Sequence, residues 1–316
     1  MKTIVFALQD EKRRVYSIII NVVFMIQAEQ SEDKMKQLRQ NRIFSFLTIL
    51  IIYALAIWLG IIIYRMLPYA YWLNLLLADI AATVFVFVFS VQFKNASVYD
   101  PYWSVQPIAI LVAFALEQKL TPVGIVLLVA VWIWGLRLTA NWAYTFYSLE
   151  HQDWRYTMLK ERTGVWYPVI NFVGIHLVPT LIVYACTLPA VEVFVKAAPW
   201  RWQCLLFAGL PYAAILLQGV ADWQLHIFRN AKRAGFIREG LWKHSRHPNY
   251  LGEILMWWGV ALTSVAALEG SWYLLTGAIA NTLLFLFVSV PLADAHQARK
   301  PGFEEYKAET HMLWPF

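Results

Sequence analysis

Runs of about twenty apolar residues, the length that crosses a bilayer, recur along this chain, and no other feature restricts its fold so severely. They lie near residues 44–66, 71–91, 105–116, 122–140, 168–187, 202–223, 249–268 and 272–292. In hydrocarbon every backbone N–H and C=O must be paired inside the protein, and at this window length the helix achieves that. The chain is therefore predicted to be an all-α, polytopic integral membrane helical bundle of about eight spans. The third window is short and reads as tilted, broken or re-entrant, which leaves seven spans as the alternative. A hydrophobic content of 60% and a mean hydropathy of +0.52 exclude an ordinary soluble domain.

Eight spans put both termini and alternate loops on one side. Of the 26 Lys and Arg, all but Arg65, Lys119, Lys196 and Arg201 fall in those same-side segments. By the positive-inside rule that side is cytoplasmic, and the expected location is a bacterial inner membrane with both termini in the cytoplasm. The net charge of +6 is thereby a topology signal and not a nucleic-acid footprint. The expected partners are membrane lipids and an apolar small molecule entering from the bilayer, with no obligate protein partner. Cys186 and Cys204 have no His or Cys at metal-ligand spacing, so neither a zinc site nor a disulfide framework is expected. Residues 15–27, after Lys12, Arg13 and Arg14, lack a small-x-small cleavage site and fit an interfacial helix or an over-extended start. The chain divides into a cytoplasmic segment, 1–43, and one membrane domain, 44–316.

Ionisable groups inside or bordering a span are costly, which makes them functional candidates. In GVADWQLHIFRNAKR and the residue before it, Gln218, Asp222, His226, Arg229 and Arg233 follow one helical face. In KHSRHPNYLGEILMWWG, Pro248 suits the first helical position, Arg246 and His247 stand before a helix N-terminus that attracts phosphate, and Asn249 and Glu253 share a face near Tyr250. The tail ADAHQARKPGFEEYKAETHMLWPF brings His296 and Arg299 and is too aromatic to hang free, so docking is expected. A fourth set lies in NASVYDPYWSVQP, WGLRLTANWAYTF and HQDWRY. There Tyr99, Asp100, Tyr102 and Gln106 offer proton donors and acceptors, while Arg137, Asn141, Asp153, Arg155 and Tyr156 offer charge on the same side. Together these groups suit an anionic cofactor and a lipid-like substrate. No G-x-G-x-x-G follows a strand and no Walker A is present, and neither G-x-S-x-G nor H-E-x-x-H occurs.

The stretch RHPNYLGEILMWWG, with GFIREGLWK before it and FEEYKAETHMLWPF at the close, resembles the steroid 5-alpha reductase family, most strongly over residues 218–316. VYDPYWSVQP and HQDWRY resemble bacterial members of that superfamily. The resemblance implies a membrane bundle that binds NADPH between its C-terminal helices and reduces a carbon–carbon double bond conjugated to a ketone. Its cofactor pattern falls on Gln218, Asp222, Arg229, Asn249 and Glu253, with His296 and Arg299 from the tail; Gln218 stands where the family has Asn, and Arg299 where it can have Tyr. The family polarises the ketone with a Glu on an early helix and a Tyr on the next. That Glu has no evident counterpart here, and Asp100 with Tyr99 or Tyr102, or Gln106, is expected to take the role.

Two other readings compete. Isoprenylcysteine and phospholipid methyltransferases resemble the same R-H-P-x-Y-x-G stretch and use S-adenosylmethionine, which has no phosphate and carries a cationic sulfonium. The basic residues, with Arg229, Arg233 or Arg246 available to a 2′-phosphate, favour NADPH. A lipid transporter is the third reading, but no convincing inverted repeat supports it.

Overall fold

A computed structural model describes residues 36–314. The reading of residues 15–27 and most of the 1–43 segment lies outside the described residues. The protein is an all-α membrane bundle, with no β-strand among the described residues. Seven runs among the described residues are long and apolar enough to span: α1 (Arg42–Met66), α2 (Tyr71–Gln92), α4 (Pro122–Thr145), α5 (Trp154–Val195), α6 (Cys204–Asn230), α7 (Pro248–Ala267) and α8 (Trp272–Gln297). The third window forms a shorter helix, α3 (Tyr102–Glu117), and the tail forms α9 (Phe303–Glu309).

The short α3 is the broken alternative made explicit. At 16 residues it rises about 24 Å, less than the hydrocarbon thickness. Ahead of it the chain runs through a buried 3-10 turn, Ala96–Tyr99, to the Asp100-Pro101 break. Buried irregular backbone needs its polar groups paired. Tyr53 Oη donates to the Val98 carbonyl at 2.7 Å, Asn95 Nδ2 donates to the Leu149 carbonyl at 2.6 Å, and the Ala96 N–H is taken by Gln152 Oε1 at 3.0 Å. α3 is not re-entrant, since Glu117 at its far end pairs with Arg65 at the far end of α1, 3.0 Å apart.

The two ends of the bundle differ. Arg65–Glu117, Arg201–Glu269 and Glu192 with Tyr71 close one end. At the other, which carries most basic residues, Arg42 reaches the Ala143 carbonyl and Arg39 reaches Glu150. The expected docking of the tail holds: His311 exchanges backbone hydrogen bonds with Arg246 and His244, and Tyr306 Oη donates to the Trp242 carbonyl.

α7 is the most enclosed span, and glycine explains how close it lies to α6. A Cβ on Gly252 would sit 2.4 Å from Gln218 Cγ and 2.8 Å from the Ala214 carbonyl oxygen. One at Gly259 would sit 2.4 Å from Pro211 Cδ. Small residues at helix interfaces permit such approach in membranes, where apolar attraction between helices is weak.

Candidate functional site

That close approach assembles the polar stripe of α6 against the start of α7. Arg137 on α4 places Nη1 2.6 Å from Asp222 Oδ2 and Nη2 2.5 Å from Gln218 Oε1. Asn249 Nδ2 donates to the other Asp222 oxygen at 3.2 Å, and Gln218 Nε2 donates to Glu253 Oε2 at 3.0 Å. Glu253 is enclosed further by two indole N–H groups, from Trp134 at 2.8 Å and Trp257 at 3.0 Å. Gln218, Asp222, Arg137, Asn249 and Glu253 thus form one hydrogen-bonded network across α4, α6 and α7. His226 lies beside it, 2.6 Å from Asn141 Oδ1.

Around the network the basic-loop end collects the other candidates. Asp153 caps α5 and holds Arg155 at 2.8 Å, and Tyr156 Oη donates to Asp100 Oδ1 at 2.5 Å. Trp154 stacks on His296 with ring centroids 3.8 Å apart. Tyr250 stacks on His247 and lies within electrostatic reach of Arg155, Asp153, Asp222 and Asp294. Burial pushes the Asp100 carboxyl up to about 6, although Arg155 and the Tyr156 bond pull it down. Burial also raises Asp153, but Arg155 outweighs it and the net shift is downward.

The structure gives three of the basic candidates partners of their own. Arg246 is buried, with Nη1 on the carbonyls of Lys307 and Thr310 and Nη2 on Asp294, so it fastens the tail. His247 likewise turns to Asp294, at 2.8 Å. Arg233 is exposed and paired with Glu239. Arg229 and Arg299 stay exposed, with Arg229 within electrostatic reach of Asp222.

The four proposed proton donors divide. Asp100 joins Tyr156, and the Tyr99 hydroxyl meets Thr180 Oγ1 at 2.8 Å. Tyr102 and Gln106 go elsewhere, to a carboxylate that sequence reasoning missed: Tyr102 Oη donates to Asp79 Oδ1 at 3.1 Å, and Gln106 Nε2 donates to Asp79 Oδ2 at 2.5 Å. Asp79 sits in α2, 5% exposed, with no cation paired to it among the described residues. As the lone acidic residue of an apolar window, it carried the signal of a costly intramembrane charge. Asp79, Tyr102 and Gln106 line a cavity of about 290 Å³ between α1, α2 and α3, whose other walls are mainly aliphatic and aromatic. Gln106 Oε1 has no hydrogen-bond partner among the described residues. Trp103, on the same helix as Tyr102, packs on Trp134, so α3 separates the cavity from the Glu253 network by one aromatic layer.

The described residues thus form a helical membrane bundle with a buried carboxyl–tyrosine pair at an apolar cavity and a charged network at one end. The chain belongs to the family described as "Protein of unknown function (DUF1295)", whose model matches residues 86–310. Among curated relatives, an uncharacterized protein of Schizosaccharomyces pombe is 25% identical over 57% of this chain and 60% of its own length. The 3-oxo-5-alpha-steroid 4-dehydrogenase 1 of Macaca fascicularis is 32% identical over 35% of this chain and 40% of its own. The chain thus spans about half the length of these relatives. No solved structure gives a significant match.

Proposed function

We propose that this protein is a membrane-embedded, NADPH-dependent reductase of the carbon–carbon double bond of an apolar enone that enters the α1–α3 cavity from the bilayer. The single observation carrying this reading is Asp79 with Tyr102 and Gln106 in the wall of that cavity. The name of the macaque relative points to the same substrate class. In this reading the substrate carbonyl takes the Tyr102 O–H in place of Asp79, whose carboxyl Gln106 Nε2 holds beside the tyrosine. As charge develops on the carbonyl oxygen, a donor already oriented in a dry site stabilises it without reorganisation. Asp79, not Asp100, then fills the role of the early carboxyl.

NADPH supplies the hydride. The residues present fit an anionic cofactor at the basic-loop end. Arg137 Nε and His296 Nδ1 are buried without a hydrogen-bond partner among the described residues, and Arg229 and Arg299 offer exposed cations, Arg229 within electrostatic reach of Asp222. Asp222, Asn249 and Glu253 would bind and orient the cofactor, with Arg155, Tyr156 and Tyr250 completing the cleft, and the basic-loop end would face the cytoplasm.

The test is a titration of detergent-purified protein with NADPH, NADH and S-adenosylmethionine, read by Trp fluorescence, followed by loss of NADPH absorbance with steroid and sterol enones. Saturable NADPH binding and enone-dependent oxidation are expected, with D79N and Y102F losing turnover by roughly 100-fold or more while keeping NADPH affinity. Binding of S-adenosylmethionine alone would overturn the reading and move the network to methyl transfer.

A further inference from the structure

The cavity that holds Asp79 is closed at one end and reaches the surface at the other. At its floor Tyr53, Asp79, Tyr102 and Gln106 are each no more than 5% exposed. At its far end the lining includes Ile61, 40% exposed, and Leu116, 84% exposed, with the side chains of Arg65 and Glu117 at 68% and 51%. Between Gln106 and Glu117 α3 rises about 16 Å. The cavity therefore follows most of α3 and meets the outside where α1 and α3 both end.

The three helices are not held alike at that mouth. α1 and α2 are tied by the short connection 67–70, which Asn74 fixes by accepting from the Tyr69 N–H at 3.1 Å and donating to the Leu67 carbonyl at 2.7 Å. α3 leaves the same end toward α4 and has no chain connection to α1 there. α1 and α3 meet through Tyr64, edge-on to Phe114 with ring centroids 5.8 Å apart, and one residue on through Arg65 Nη2, 3.0 Å from Glu117 Oε1. Between these contacts and the floor, where Tyr53 packs edge-on to Tyr102, the facing positions are small: Ala56 and Gly60 on α1, Ala109 and Ala113 on α3. The other end of α1 offers no such passage. There Phe46 packs edge-on to Trp142 and Phe146, and Arg42 Nη2 donates to the Ala143 carbonyl at 2.8 Å.

We propose that the seam between α1 and α3 is the door of the cavity, opened by parting Arg65 from Glu117 and Tyr64 from Phe114, and that the enone enters and the ketone leaves there. The identity of the ligand rests on the reductase reading above; its path rests on the cavity alone. An exposed ion pair contributes little and gives way readily to water, which suits a clasp that opens and closes at every turnover. Behind the clasp the small residues leave a flat slot, so a flat molecule passes edge first. The carbonyl end arrives at Tyr102 and the rest of the molecule lies toward the mouth. The door is at the end of the bundle away from the Arg137–Asp222 network, so the enone and a cofactor bound at that network use opposite ends and neither has to leave for the other to pass.

A reversible lock tests this. R65C/E117C, bridged by a short bifunctional thiosulfonate, holds the door shut, and a reductant releases it; Cys186 and Cys204 are buried away from the reagent. The bridged protein is expected to exchange cholestenone, a sterol enone followed by Trp fluorescence, at least roughly 10-fold more slowly than the same protein after reduction. Its NADPH oxidation with that enone falls in proportion, and its NADPH affinity is unchanged. R201C/E269C is the control. Arg201 and Glu269 pair at the same end, 2.6 Å apart, outside the cavity lining, and bridging them is expected to leave exchange as it was. Should the R65C/E117C variant fail to fold, charge reversal carries the test. E117R sets two cations face to face and is expected to release bound cholestenone about two- to fivefold faster, and R65E/E117R, which restores the pair with its signs exchanged, returns the wild-type rate. Exchange untouched by the bridge or, where the cysteine variant does not fold, by E117R would overturn the door and leave the reductase reading standing. Exchange blocked by the bridge in a protein that oxidises NADPH with no enone would end the reductase reading and leave the door. A wild-type protein that binds no cholestenone would end both.

Discussion

Arg137 Nη1 stands 2.6 Å from Asp222 Oδ2, tying α4 to α6 with side chains only 18% and 12% exposed. Removing one partner of a buried pair leaves the other charge uncompensated, at a cost of about 3–5 kcal/mol. R137M is therefore expected to lower the melting temperature in detergent by several degrees. The R137M/D222N double variant recovers part of the loss, because no lone charge remains. Equal melting temperatures for R137M and wild type would show that the pair carries no stability.

Gly252 yields a sharper structural test. G252A drives a Cβ against Gln218 and against a backbone carbonyl that cannot swing aside. Overpacking of this kind costs about 1–3 kcal/mol. It also pushes α6 from α7, stretching the Gln218–Glu253 bond of 3.0 Å. A fall in both melting temperature and NADPH affinity is expected, where a change confined to stability would place the cofactor elsewhere.

Asp100 gives a pH signature. Its carboxyl titrates at about 6 in the folded protein, against about 3.9 for an unfolded aspartate. Between those values the folded state holds more protons than the unfolded state, so stability falls as pH rises. The contribution is fully present below about pH 4 and lost through about pH 6, amounting to roughly 1–3 kcal/mol. D100N keeps an oxygen for the Tyr156 hydroxyl and is expected to flatten the melting-temperature profile across this window. A profile that keeps its slope in D100N would assign it to another group.

Arg246 anchors the tail through two carbonyls and Asp294. R246A is expected to expose residues near Lys307 to trypsin at least several-fold faster. R246K, which cannot reproduce the planar fork, falls between. Proteolysis at the wild-type rate would mean that the Ser245–Leu313 and His311 contacts suffice alone.

How much of this was legible depends on the distance between partners along the chain. Gln218, Asp222, Asn249 and Glu253 sit on consecutive spans joined by one loop, and helical periodicity already gave each pair a shared face. Their convergence was readable, and the docked tail was readable from its aromatic content. The tail-fastening contact of Arg246 was not readable, because its partner, Asp294, lies 48 residues away and nothing local to the basic loop announces it. Asp79 shows the same blindness in reverse. Its donors belong to α3, and only the break at Asp100-Pro101 sets the depth at which Tyr102 and Gln106 meet it. The meeting of the Thr83 and Thr180 hydroxyls, 3.0 Å apart between α2 and α5, leaves no trace in sequence, since a span threonine ordinarily bonds to its own helix.

The α1–α2 hairpin precedes most of the family segment, yet it supplies Ala56, Gly60, Ala78 and Ala82 to the cavity wall. At Gly60 even a methyl group would meet only ordinary contacts, at 3.8 Å and beyond. Under the proposed reading, these four positions act as a gauge set by omission, where the length of an admitted apolar molecule would be measured by side chains that are not there. Bulkier residues at them would shorten the gauge without touching one bond of the α6–α7 network. Within such a family, diet and machinery can diverge at separate rates, each written on its own pair of helices.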